Sequence, residues 1–365
     1  MEIFLENEDV YLTEYGIPIR NIWHMLLYTW DNPPIERIGK LGNIEDSPTL
    51  DALLAAILIK LIQQRIRIGL SRNYLEENHL LNGIRGKIDF SNSIKQSTFQ
   101  KNQAFCDFEV FSQNVIKNQV IKSTLFKLVQ SVKFGPDKSK ANKLKHLLRV
   151  TSRLMDGIDI IELKPDIFKR QQIGRNDRDY KIMLSICELL YLHQLPMDTN
   201  GSQQQPEIIR ETLVMHKIYE DFVANFYRLN LIDWIVEPQK KMEWFDENEN
   251  TYLPIMKPDI MFTNKTNGKV VILDTKFTAN SLVSNQWGRK IFNQSHLYQI
   301  YTYLKTQEHI SKNYRYASGI LLYPTINNQP LSEIIILPGH EIKIETINLA
   351  KDWQQIELDL LNLIH

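Results

Sequence analysis

The stretch that most constrains this fold runs from Pro258-Asp259 through Asn264-Lys265-Thr266-Asn267-Gly268 and climbs Lys269-Val270-Val271-Ile272-Leu273 into Asp274-Thr275-Lys276. Asn-Gly is a strong hairpin signal, and a continuous aliphatic run after such a turn suits a central strand buried on both faces. If Asn267-Gly268 is a two-residue loop, residue 266 pairs with 269 and Asp259 falls opposite Lys276. If the loop takes four residues, 265 to 268, Asp259 falls opposite Asp274. Side chains alternate faces along a strand, so Asp274 and Lys276 share one face under either loop, and Asp259 joins them as a cross-strand neighbour. Only an odd-length loop without a bulge would break the cluster.

Charges at the end of such a strand are expensive. A buried carboxylate without a partner is strongly unfavourable, so two acids at one spot point to a bound cation, with magnesium the natural candidate for oxygen ligands. The plainer alternative is a strand-end ion pair between Asp274 and Lys276, with Asp259 a turn residue. The chain also holds a control: Pro165-Asp166 is followed by Asp179-Tyr180-Lys181, but Gln171-Gln172-Ile173-Gly174-Arg175-Asn176 stands where an apolar strand is required. That copy is expected to be coincidence, because the letters carry no chemistry without their structural context.

At 365 residues the chain has room for two domains. Its 43 basic and 43 acidic residues cancel, so no global field draws it to nucleic acid or membrane, and any DNA contact must come from a local basic surface or from a partner. Glu2, Glu6, Glu8 and Asp9 carry the wrong charge for the start of a secretory signal, and the apolar stretch Ala52 to Ile62 is broken by Lys60 and too short to span a bilayer. Cys106 and Cys187 make neither a disulfide framework nor a zinc site. A cytoplasmic protein without a membrane segment is expected. Gly39-Lys40, Gly86-Lys87 and Gly268-Lys269 each lack the following hydroxyl residue, so the chain has no P-loop with which to hydrolyse a nucleotide.

Breaker residues concentrate between Pro196 and Pro206, which marks the expected domain boundary. Before it, helices are expected at Asn21 to Trp30, Thr49 to Ile68, Ser112 to Phe134, Lys138 to Met155 and Asp177 to Leu195, with a pair of strands around Asn82-Gly83 between Tyr74 and Phe90. After it come a helix, Glu207 to Leu229, carrying Glu220, and strands near Ile235, at Tyr252 to Phe262 and at Val270 to Phe277. A helix from Gln286 to Lys305 then carries His296, Gln299 and Tyr303, with strands at Gly319 to Tyr323 and Ile334 to Leu337. That order belongs to a mixed sheet with flanking helices.

Glu in a first helix, Pro-Asp on one strand, Asp-x-Lys on the next and Gln-x-x-x-Tyr on the following helix resemble the PD-(D/E)xK nuclease superfamily. Over its full length the chain is similar to the McrC family, the nuclease subunits of McrBC-type modification-dependent restriction systems. The likeness includes Ile17 to Trp30, Gly83 to Phe90, Asn176 to Tyr180, Met215 to Arg228, Leu297 to Leu304 and Asn348 to Trp353. It implies an α/β (α+β) chain: a helix-rich mixed domain over 1–205 that binds and activates a partner GTPase, then a restriction-endonuclease-like domain over 206–365 with a mixed central sheet flanked by helices. It further implies a Mg2+-dependent endonuclease acting on double-stranded, methylcytosine-containing DNA, with GTP bound by a separate McrB-like AAA+ GTPase hexamer.

Carried over by residue, Asp259 and Asp274 would hold the metal with the carbonyl of Thr275, and Lys276 would orient the attacking water and offset phosphate charge. Glu220 is either the acid that some superfamily members place on the first helix or a solvent-facing residue. Gln299 and Tyr303, one turn apart, are either supporting or DNA contacts or the edge of an amphipathic helix. Arg289 and Lys290 are candidate phosphate contacts or a solvated basic pair. The alternative from another class is a non-cleaving activator of the GTPase motor.

Overall fold

The computed structural model describes residues 11–13, 15–30, 47–131, 133–171, 173–174, 177–194, 206–244, 252–278, 282–284, 290–326 and 330–364. Residues 196–205 of the expected boundary, and Arg289, lie outside them. The elements in chain order are α1 (Ile19–Thr29), α2 (Leu50–Ile68), β1 (Asn73–Leu81), β2 (Lys87–Ile88), α3 (Phe90–Lys95), β3 (Ala104–Ser112), α4 (Ile116–Ser131), α5 (Lys138–Arg153), α6 (Pro165–Lys169) and α7 (Arg178–His193). They continue with α8 (Pro206–Asn230), β4 (Trp234–Pro238), β5 (Ile260–Asn264), β6 (Val270–Thr275), β7 (Leu282–Ser284), β8 (Lys290–Phe292), α9 (Gln294–Thr306), α10 (Lys312–Arg315), β9 (Ser318–Thr325), β10 (Ser332–Leu337), β11 (His340–Asn348) and α11 (Trp353–Ile364). No described helix is long and apolar enough to cross a membrane.

Two compact units emerge, one of Met1–Leu50 with Leu192–His365 and the other of Asp51–Tyr191. This differs from a simple division near residue 205, because α1 joins the C-terminal unit. Its apolar face of Ile19, Ile22, Trp23, Met25 and Leu26 is buried, and it packs on α8. Asn21 Nδ2 donates to the carbonyls of Leu349 (2.7 Å) and Lys351 (3.0 Å), and Tyr28 donates to Glu357 Oε1 at 2.7 Å.

The larger unit is built on a six-stranded sheet ordered β10-β11-β9-β6-β5-β4. β6 pairs antiparallel with β5 and parallel with β9, so the expected mixed sheet is present. All six residues of β6 are buried, as the unbroken aliphatic run requires. Val270 and Ile272 face the cluster that holds Ile300 and Leu304 of α9. Gly319, paired with Ile272, lets that helix approach: a Cβ there would sit 2.9 Å from Ile300 Cδ1. Over the opposite face, Tyr227 of α8 meets Phe262 edge-on at 5.1 Å.

The other unit pairs helices with a three-stranded antiparallel sheet ordered β1-β3-β2. The expected strands around Asn82-Gly83 exist, but they do not pair with each other; β3, absent from the sequence expectations, lies between them. Asp177 ties Arg65 (3.1 Å) and Lys117 (2.6 Å) together beneath Tyr180. Cys106 and Cys187 are both buried and free, and burial pushes the Cys187 thiol up to about 12.

Candidate active site

The turn fixes the register first. Asn264 N donates to Lys269 O, and Asn264 Oδ1 accepts from the backbone N–H groups of Thr266 (3.0 Å) and Asn267 (3.1 Å). This Asx-turn encloses four residues, 265 to 268, and Gly268 closes it at φ +70°. Ile260 therefore pairs with Leu273, which sets Asp259 opposite Asp274 rather than Lys276. The wider of the two expected loops is the one that forms.

Asp274 is 1% exposed. Its Oδ2 forms an ion pair with Lys276 Nζ, yet among the described residues neither carboxylate oxygen accepts a hydrogen bond of proper geometry. Burial, then the charge of Asp259, pushes its carboxyl up to about 6, with Lys276 pulling the other way and Glu220 adding to the rise. Two further acids thus lie within electrostatic reach of an under-satisfied carboxylate. Asp259 is held differently, its Oδ2 accepting from Thr275 N (2.7 Å) and Thr275 Oγ1 (2.6 Å). The Thr275 N–H and hydroxyl therefore serve to hold Asp259 in place.

Lys276 leads into a directed chain. Its Nζ donates to Gln299 Oε1 at 2.9 Å, Gln299 Nε2 donates to Tyr303 Oη at 2.8 Å, and Tyr303 donates to the carbonyl of Lys257 at 3.3 Å. Gln299 and Tyr303 are therefore not a solvated helix edge; Tyr303 is buried and the glutamine amide is oriented from both ends. The helix that carries them starts at Gln294 rather than Gln286, and Asn293 caps it by accepting from Ser295 N. Lys290 is exposed on β8.

Glu220 is partly buried rather than solvent-facing. Gln239 Nε2 donates to its Oε1 at 2.6 Å, and its carboxyl is raised by burial and then by Asp259. Gln239 went unnoticed in the sequence, although its backbone N–H also donates to the Asp259 carbonyl at 2.9 Å. Its φ of 45° is a conformation that no sequence pattern signals. Two other neighbours are His296 and Tyr323, joined Nδ1 to Oη at 2.8 Å. Burial, then the Lys276 charge, lowers His296 to about 4.

The control copy behaves as coincidence. Pro165 and Asp166 open α6, while Asp179 lies on α7 and pairs with Arg65 at 3.5 Å.

Among the described residues no group of three or more His, Cys, Asp or Glu side chains is gathered to hold a metal ion. The donor set at β6 is instead two carboxylates with nearby backbone and hydroxyl oxygens. That set, and the under-satisfied oxygens of Asp274, suit a hard divalent cation rather than zinc.

Residues 4–324 match the family described as "McrBC 5-methylcytosine restriction system component". The Escherichia coli (strain K12) protein "Type IV methyl-directed restriction enzyme EcoKMcrBC" is 26% identical over 351 residues, covering 95% of this chain and 97% of the relative. A solved structure, the refined half-complex from the tetradecameric assembly of Thermococcus gammatolerans McrB AAA+ hexamers with bound McrC, shares the fold. It aligns with a TM-score of 0.51 and 18% identity over 95% of this chain and 76% of that one.

Proposed function

The chain belongs to the McrBC 5-methylcytosine restriction system component family, and we propose that it is the subunit that cuts DNA, an endonuclease of the PD-(D/E)xK type. The observation that carries this reading is Asp274, a carboxylate buried at the end of a central strand, short of hydrogen-bond donors, beside Asp259 and Lys276. Asp259 and Asp274 would hold Mg2+, with the Thr275 carbonyl as a further oxygen. When bound, the metal polarises phosphoryl oxygens and supplies hydroxide at neutral pH.

The chain's own residues do the rest. Lys276 presents its ammonium to the scissile phosphate, where fixed positive charge lowers the cost of the charge that builds in the transition state. Gln299 holds that ammonium by its carbonyl oxygen, and Tyr303 fixes which way the amide points. Thr275 keeps the Asp259 carboxylate turned toward the site. Glu220 adds negative potential that favours a cation there.

The missing P-loop supports a division of labour with a separate motor. The partner in this reading is a McrB-like AAA+ GTPase hexamer, in keeping with the T. gammatolerans complex, and the substrate is double-stranded DNA containing methylcytosine, in keeping with the methyl-directed E. coli relative.

The test is cleavage of methylated and unmethylated plasmid with the cognate GTPase, GTP and Mg2+. Asp274→Ala and Lys276→Ala are expected to slow cutting at least about 100-fold while retaining stimulation of the GTPase. Variants that cut like wild type would sink the assignment, and a wild type that stimulates GTP hydrolysis without cutting would make the chain a non-cleaving activator.

A further inference from the structure

Helix α5 reads Lys-Ser-Lys-Ala-Asn-Lys-Leu-Lys-His-Leu-Leu-Arg-Val-Thr-Ser-Arg, six cations and no acid in a chain whose 43 basic and 43 acidic residues balance only overall. One face packs through buried Leu148 and Thr151, with Gln63 Nε2 donating to Thr151 Oγ1 at 3.4 Å. On the other side, Lys138, Asn142, Lys145, Arg149 and Arg153 follow one another at steps of three or four residues, which aligns them along the helix. From Lys138 to Arg153 the strip runs about 22 Å at 1.5 Å per residue. Lys138, Arg149 and Arg153 are exposed and Lys145 is partly so.

Several cations elsewhere in the chain are paired with acids. Arg65 and Lys117 meet Asp177, Lys240 meets Glu237, Lys305 meets Glu308 and Lys351 meets Asp359. Among the described residues, Lys138, Lys145, Arg149 and Arg153 form no ion pair. Like charges one turn apart also oppose the helix that carries them. An unpaired cationic strip of this length therefore calls for an external polyanion.

We propose that the α5 strip of Lys138, Lys145, Arg149 and Arg153 docks the phosphate backbone of duplex DNA. This rests on the reading of the chain as a DNA-cutting subunit, and it assigns DNA contact to a unit that holds none of the catalytic residues. The strip carries no base-reading geometry, so its contribution is independent of sequence and falls with salt. Beside it lie exposed Leu147 (37%), Val150 (37%) and Leu154 (55%), an apolar edge that would suit an acidic protein surface instead.

The experiment measures binding of a short labelled duplex by the full-length chain in EDTA, across a salt series. Each phosphate contact contributes about 0.9 to the slope of log affinity against log salt. Replacing all four cations by alanine is therefore expected to flatten the slope by about 3.6, which is roughly 150-fold less affinity lost between 50 and 200 mM salt. Lys138→Arg with Lys145→Arg keeps the charge and is expected to keep the slope, and matched thermal midpoints show that the alanine variant is folded. An unchanged slope in the folded alanine variant overturns the proposal. Unchanged DNA binding with weakened binding to the partner GTPase also overturns it and gives the strip to a protein. A wild type that binds duplex steeply with salt but never cuts would fail the cutting reading and leave the strip standing.

Discussion

Replacing Asp274 by asparagine should make the metal-free protein more stable while abolishing cutting. The carboxyl is held at about 6 rather than near 3.8, with burial the main cause and Asp259 next. That difference is worth about 3 kcal/mol against the ionised form at neutral pH. The sign follows from the direction: the folded-state value lies above the unfolded one, so stability falls as pH rises from about 4 to about 6 and stays low beyond. Asparagine keeps the shape without the charge, and a buried amide with incomplete partners gives back about 1 to 2 kcal/mol. A net gain of about 1 to 2 kcal/mol remains, a rise of a few degrees in thermal midpoint for a unit of this size. The assay is thermal or urea unfolding in EDTA at pH 7.5, repeated with Mg2+. At ten times its dissociation constant, Mg2+ should stabilise wild type by about 1.4 kcal/mol and the variant hardly at all. A variant that melts below wild type in EDTA would refute the reasoning, because Asp274 would then be a satisfied partner of Lys276 and not a carboxylate held in deficit.

Gln299→Leu should lower kcat for cutting about 100-fold with little change in KM for DNA, since it frees the lysine without removing it. A rise in KM at constant kcat would make Gln299 a DNA contact instead. Gly268→Ala should cost about 1 kcal/mol in urea unfolding, because an L side chain strains at φ +70°; an unchanged midpoint would mean that the turn rearranges. His296, held at about 4, refuses a proton that the unfolded chain accepts, so the fold should lose stability as pH falls from about 6.5 toward 4. His296→Gln should flatten that acid limb, and an imidazole that titrates near 6.5 by NMR would contradict it.

How much of this was legible in the sequence depended on the distance between interacting residues. The β5–β6 hairpin was, because its turn, its aliphatic run and its charges lie within twenty residues. Its loop length was not, since Asn267-Gly268 favours a two-residue loop and only the Asn264 side chain, bonding to residues 266 and 267, selects four. Helices with strong apolar periodicity appeared where expected. Strand β3 was missed because it takes its place between β1 and β2, a pairing set by residues about twenty to forty positions upstream. The packing of α1 with the C-terminal unit was beyond any local pattern: Asn21 bonds to Leu349 and Lys351, and His24 stacks on Trp353 at 4.9 Å. Those contacts join the two ends of the chain, and the segments that meet are among those that carried the family resemblance.

The comparison of Asp274 with Asp179 shows what separates a site from its spelling. Both stand two residues before a lysine and some fifteen after a Pro-Asp. Asp179 lies on a helix, is 32% exposed and meets Arg65, so its charge is solvated and paired. Asp274 is enclosed by a central strand, pressed by the charges of Asp259 and Glu220, and offered one ammonium that is itself shared with Gln299. A folded protein keeps an unmet charge only where the rest of the structure sustains its cost. Here α9 and the central sheet do so by burying Ile300, Leu304, Val270 and Ile272 around the site, and the deficit at Asp274 is what a divalent cation would fill.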